Sequence, residues 1–69
     1  METELNEYGN IKTKFDGKRA VVLSKEHPHY GKTALAIGVQ KTHIGYGMIF
    51  KSDEGESFFI FNGKDVRWI

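Results

Sequence analysis

No cysteine occurs among the 69 residues, so neither a disulfide framework nor a thiolate metal cage can staple this chain, and packing alone has to hold it. Such cysteine usage fits a reducing compartment. Proline and tryptophan occur once each. No apolar run approaches the roughly 20 residues that a helical membrane span needs, which excludes such a span. The opening Met1-Glu2-Thr3-Glu4-Leu5-Asn6-Glu7 is acidic where a signal or transit peptide is basic and then apolar, so no export signal is read. A soluble, cytoplasmic protein is the expectation. At 7.9 kDa there is room for one domain, because a chain this short buries only about 60% of the surface that its unfolded form exposes. Small-ligand pockets usually enclose roughly 300 Å³ or more, and hollowing so small a core would remove the packing that stabilises it. A module acting through its surface is therefore expected rather than an enzyme with a deep cleft.

Catalytic constellations are missing as well. Ser24, Ser52 and Ser57 have no recognisable nucleophile context, no glycine-rich phosphate loop precedes a helix, and the acids cluster in turns. No catalytic residue and no cofactor is assigned. His27 and His29 flank Pro28 and, with His43, invite a metal reading, but no thiol is present and no carboxylate lies at a tight ligand spacing, so no metal site is assigned. Asp53-Glu54-Gly55-Glu56 is too short for a calcium loop, which spreads oxygen ligands over about twelve positions.

Hydrophobic residues make up 39% of the chain, charged residues 28% and aromatics 13%, a globular composition. The net charge of +1 conceals segregation. Residues 1–10 carry −3, residues 11–51 carry +6, and residues 52–69 carry −2. A basic middle between acidic ends can present a cationic face to phosphate. Signs that merely mix over a solvated surface are the alternative, since the bases form no extended run of like charge.

Beyond residue 17, apolar residues arrive in short β-rich bursts separated by glycine or charged turns, too closely spaced for helices of ten or more residues. Strands are predicted over 19–24, 33–41, 46–51, 57–61 and 66–69. Asp16-Gly17 opens the first, and Lys25 to Lys32 forms a long loop holding the only proline. Strict alternation in the second strand puts Leu35, Ile37 and Val39 on one face and Ala34, Ala36 and Gly38 on the other. Gly55 marks the turn between the third and fourth strands. Asn62-Gly63-Lys64 marks the last turn, with room for one short helical turn before the fifth strand. Five short antiparallel strands with a long first loop describe an all-β, SH3-like small barrel over residues 17–69, whose full or partial closure protects its edges. Periodicity alone leaves an OB-like barrel or an open meander alive. Residues 1–16 form an N-terminal arm. Leu5, Tyr8, Ile11 and Phe15 recur at helical intervals, but Gly9-Asn10 interrupts them, so the arm reads as either a short helix or a partly disordered segment.

Gly17-Lys18-Arg19-Ala20-Val21-Val22-Leu23-Ser24, followed by the loop that closes on Gly31-Lys32, resembles the KOW motif. In that outline a strand of the type Gly-x-x-Val-x-Val leads to a loop and then Gly-Lys-x-Gly. The likeness spans residues 17–37, with Ala20, Ala34 and Ala36 standing where the outline has valine, glycine and an apolar residue. The resemblance implies an SH3-like barrel and a protein that attends transcription or translation, touching RNA, ribosomes, DNA or RNA polymerase. It also implies that the loop around Gly31-Lys32 is a contact surface. A short, cysteine-free chain of this type is similar, too, to phage-encoded accessory proteins.

Lys18, Arg19, Lys25, His27, His29, Tyr30, Lys32 and Lys41 are thus the expected nucleic-acid contacts, mixing phosphate donors with rings on which an unstacked base can lie. Alternation also puts Phe59 and Phe61 on one face and Phe58 and Ile60 on the other, so one core cannot hide both sets. Something must cover the second face, whether the N-terminal arm, a second subunit or a partner protein; core packing is the first reading of most of these rings, and Tyr46 and Phe58 are the contacts expected of a protein partner. Two functions follow. One is a non-enzymatic module binding nucleic acid or a nucleoprotein machine. The other is a protein-interaction module that modulates a partner enzyme.

Overall fold

Short β-branched and aromatic runs set between glycine-bearing turns become five antiparallel strands in one sheet. The computed structural model describes residues 4–69. In chain order the strands among the described residues are β1 (Arg19–Val22), β2 (Thr33–Thr42), β3 (Gly45–Ser52), β4 (Ser57–Ile60) and β5 (Val66–Trp68), with a 3-10 turn at Gly63–Asp65. Their order across the sheet is β4-β3-β2-β1-β5, so consecutive hairpins build four strands and β5 returns to pair with β1. The sheet curls in a barrel-like manner but is not closed, because β4 and β5 are its two edges and share no ladder. Among the described residues no helix is long and apolar enough to cross a membrane.

The predicted first strand ends early. The strand ends at Val22, although the Leu23 N–H still donates to the carbonyl of Asp65 at 2.7 Å, one step beyond the Val22–Val66 pair and next to the 3-10 turn. Asn62 caps that turn by accepting the Lys64 N–H at 3.0 Å.

Strict alternation fails in β2, and the failure shapes the sheet. Ala36 faces Phe50 while Gly38 faces Ile49, which leaves Ile37 as an extra, bulged residue. From there the parity flips: Val39 pairs with Met48 and joins the face of Ala34 and Ala36, instead of sharing one with Leu35. Gly38 takes φ +125°, a conformation that side chains with a Cβ rarely adopt.

On the concave face the core gathers Ala20, Ala34, Ala36, Phe50, Ile60 and Val66, with Met48, Phe58 and Trp68 packed against it. Phe50 is 1% exposed, and burying a ring of that size contributes about 2 to 3 kcal/mol. Ala20 and Ala34 lie opposite one another on β1 and β2. Their small side chains leave the core volume to the rings that β3 and β5 supply, Phe50 and Trp68.

The arm, from residue 4 on, is neither helical nor loose. Asn6 Oδ1 accepts the N–H groups of Tyr8 and Asn10, at 2.9 and 3.1 Å, and so folds a tight turn where helical spacing pointed to a helix. The turn then docks on the bulge. Asn6 Nδ2 and Asn10 Nδ2 both donate to the Ile37 carbonyl, at 2.7 and 2.9 Å, and Ile11 bridges Val39. The carbonyl that the bulge releases from the ladder thereby finds two amide partners.

Candidate nucleic-acid interface

The loop from Lys25 to Lys32 is wound through successive turns and pinned at its base, where Gly31 N–H donates to the Val22 carbonyl and Val22 N–H donates to that of Lys32. Across from it stands the acidic turn between β3 and β4. Arg19 Nη2 lies 2.8 Å from Asp53 Oδ1 and also donates to Thr33 Oγ1. Lys32 Nζ lies 3.8 Å from Glu54, and His29 Nε2 lies 3.6 Å from Glu56. Arg19 and Lys32 are thus met by carboxylates within the molecule, whereas Lys25 has no such partner among the described residues. Such exposed pairs contribute at most about 1 kcal/mol each, so they do little for stability, yet each carboxylate cancels field that would otherwise reach a phosphate.

Histidines of this loop face inward. The rings of His27 and His29 each sit 4.7 Å from Phe58, His29 is buried, and His27 Nδ1 accepts the His29 backbone N–H at 3.1 Å. Lys25 and Tyr30 are exposed. Lys41 pairs in register with Tyr46 near the far end of the ten-residue β2, roughly 25 Å along the strand from Thr33 at about 3.3 Å per residue. Of the eight expected contacts, the structure brings Arg19 and Lys32 to one acidic turn and sets Lys41 apart from them along β2. Arg19, His29 and Lys32 face acids, His27 packs on a ring, and Lys41 is remote.

A second cationic group lies on the turn that enters β1. Lys14 Nζ and Lys18 Nζ sit over the Phe15 ring, 5.3 and 5.9 Å from its centroid. Phe15 in turn stacks on Trp68, with centroids 4.5 Å apart and an interplanar angle of 10°. Among the described residues neither lysine pairs with a carboxylate.

Asp16 builds this turn. Its carboxylate accepts from Asn6 Nδ2 at 2.9 Å, from the Thr13 N–H at 3.2 Å and from the Thr13 hydroxyl at 2.9 Å, while the same hydroxyl accepts the Phe15 N–H. Burial opposes ionisation of the group. The Asn6 amide, the two Thr13 donors and the Lys12 charge outweigh it and hold the carboxyl below its ordinary value. Gly17 follows at φ +83°, and its N–H donates to the Ala36 carbonyl, which fixes the turn against β2.

Phe58 lies half-buried in the core, between the histidines and Phe50, whereas Tyr46 is 62% exposed. The rings left on the convex face are Phe59 and Phe61, stacked at 5.8 Å and 38% and 50% exposed. They lie on Gly47, where a Cβ would approach both rings to 2.8 Å. The pairing of Phe15 with Trp68 joins residues 53 positions apart and so carries no local sequence signal beyond the lysines at 14 and 18 around Phe15. No family model, curated protein or solved structure matches the chain.

Proposed function

We propose that this chain is a small non-enzymatic module that binds nucleic acid, or a nucleoprotein machine that displays it, in the cytoplasm. The observation that carries this reading is the pair of ammonium groups, Lys14 and Lys18, held on an aromatic ring with no carboxylate partner among the described residues. Cations free of intramolecular partners neutralise phosphates at little internal cost, whereas Arg19 and Lys32 must first give up Asp53 and Glu54. The KOW-like outline of residues 17–37 points the same way. The interface is accordingly moved from the Lys25–Lys32 loop to the turn at residues 13–18, with Lys25 and Tyr30 as outlying contacts.

Fluorescence anisotropy with a labelled oligonucleotide at two salt concentrations tests it. Affinity is expected to fall steeply with salt, and the double variant Lys14→Gln, Lys18→Gln to bind more weakly and flatten the dependence by about 1.5 to 2 units of log–log slope for the two lost contacts. Binding that is absent at low salt, or unaltered in that variant, removes the reading. A second reading, a protein-interaction module, is favoured by the Phe59–Phe61 pair that Gly47 seats on the convex face. Retention of a protein partner after nuclease treatment, lost on Phe61→Ser, would favour it instead.

A further inference from the structure

We infer that Phe15 is a base-stacking platform and that its ligand is an unpaired stretch of nucleic acid. This deepens the nucleic-acid reading above and rests on it. Three rings run from the core to the surface: Phe50 lies 5.8 Å from Trp68, and Trp68 lies 4.5 Å from Phe15 and nearly parallel to it. Phe50 is fully buried and Trp68 half-buried, so the outermost ring rests on a packed support and loses little freedom on binding. Trp68 covers one face of Phe15, which leaves the other side to the ammonium groups of Lys14 and Lys18.

That arrangement has the parts of a single-strand site, an aromatic face with cations at its rim. A base that stacks on Phe15 takes the place of the ammonium groups, and these swing on flexible stems to the phosphates on either side of that nucleotide. Ring and charge are then both used. In a duplex each base is already stacked above and below, so only the phosphates are within reach and the ring adds nothing. The Asp16 hydrogen bonds to Asn6 and Thr13 hold Phe15 between the two lysines, and Asp16 is in this sense a positioning residue.

A short oligothymidylate and a duplex of equal length, titrated at one salt concentration, separate the two modes. The single strand is expected to bind at least about fivefold more tightly, the low end of what one stacked base contributes. It should shift the Phe15 ring and Trp68 indole signals in NMR spectra, while the duplex should move only lysine signals. Phe15→Leu keeps an apolar cover on Trp68; it should lose about tenfold for the single strand and nothing for the duplex, and Phe15→Tyr should restore binding. Equal affinity for both probes with no shift of the Phe15 signals overturns the stacking inference and leaves the charge reading standing. Failure to bind either probe at low salt overturns both. The wild-type NMR shifts decide the matter even if the leucine variant proves unstable.

Discussion

Two turns of this molecule collect lysines, and they are finished in opposite ways. The loop from Lys25 to Lys32 faces Asp53, Glu54 and Glu56, so Lys32 and the neighbouring Arg19 are answered within the fold, whereas Lys25 has no carboxylate partner among the described residues. On the turn at residues 13–18 the only acid, Asp16, spends its carboxylate on Asn6 and Thr13, leaving Lys14 and Lys18 on a ring. Equal counts of lysine therefore do not mean equal attraction for phosphate. What matters is where each carboxylate's hydrogen bonds go.

The largest effect comes from breaking the support of one turn while sparing the other. A Cβ at Gly38 would meet Asn10 Cβ at 2.6 Å and Asn6 Nδ2 at 2.7 Å, on a backbone already at φ +125°. Gly38→Val is expected to cost about 3 kcal/mol in a denaturant melt, from strain and overpacking together, and to release the arm. Signals of the 13–18 turn should broaden and those of the Lys25–Lys32 loop should not. An unchanged melting midpoint would show that the arm does not depend on this close approach.

Next is the amide network. Asn10→Ala removes one of the two donors to the Ile37 carbonyl and the acceptor of Gln40 Nε2 at 2.6 Å, and should destabilise by about 1 to 2 kcal/mol. Because Asn10 is 4% exposed, water does not readily replace it.

Smaller still is the difference in binding. Neutralising Lys14 and Lys18 should weaken oligonucleotide binding several-fold, while neutralising Lys25 and Lys32 should have the lesser effect, since Lys32 is already answered by Glu54. The reverse order would return the interface to the loop. Removing the opposing acids sharpens the contrast: Asp53→Asn with Glu54→Gln should raise the loop's contribution to binding and alter stability by less than about 1 kcal/mol.

The pH response is the most delicate of these effects. Asp16 has its carboxyl held below the ordinary value, so its contribution to stability is complete above the unfolded-state value near 4 and is lost as pH falls through the lower, folded-state one. Acid titration followed by NMR should loosen residues 6–18 below about pH 4 before the core melts, and Asp16→Asn should abolish that early step.

Much of the fold was legible residue by residue. The strand positions followed from alternation and the turn signals at Gly17, Gly31 and Gly55, all of which take positive φ. The face assignment of β2 was not legible, because the bulge at Ile37 answers to the arm's amides from Asn6 and Asn10, far away in sequence. The arm itself misled for a related reason: helical spacing of Leu5, Tyr8 and Ile11 was overridden by one side chain, Asn6, capturing two backbone N–H groups. The candidate site fared less well than the fold. Lys18 was named from sequence, but Lys14, Phe15 and Trp68 were not, since a stack between residues so far apart in the chain exists only once β5 has returned to β1.

The chain alone determined an all-β molecule of five strands and their order of appearance, because period-two alternation and turn chemistry act over a few residues. Which cations stay open to a partner was decided only by the tertiary structure. Electrostatic pairing depends on distance in space, and the register of β2, β3 and β4 brings an acidic turn to Arg19 and Lys32, while among the described residues no carboxylate pairs with Lys14 or Lys18.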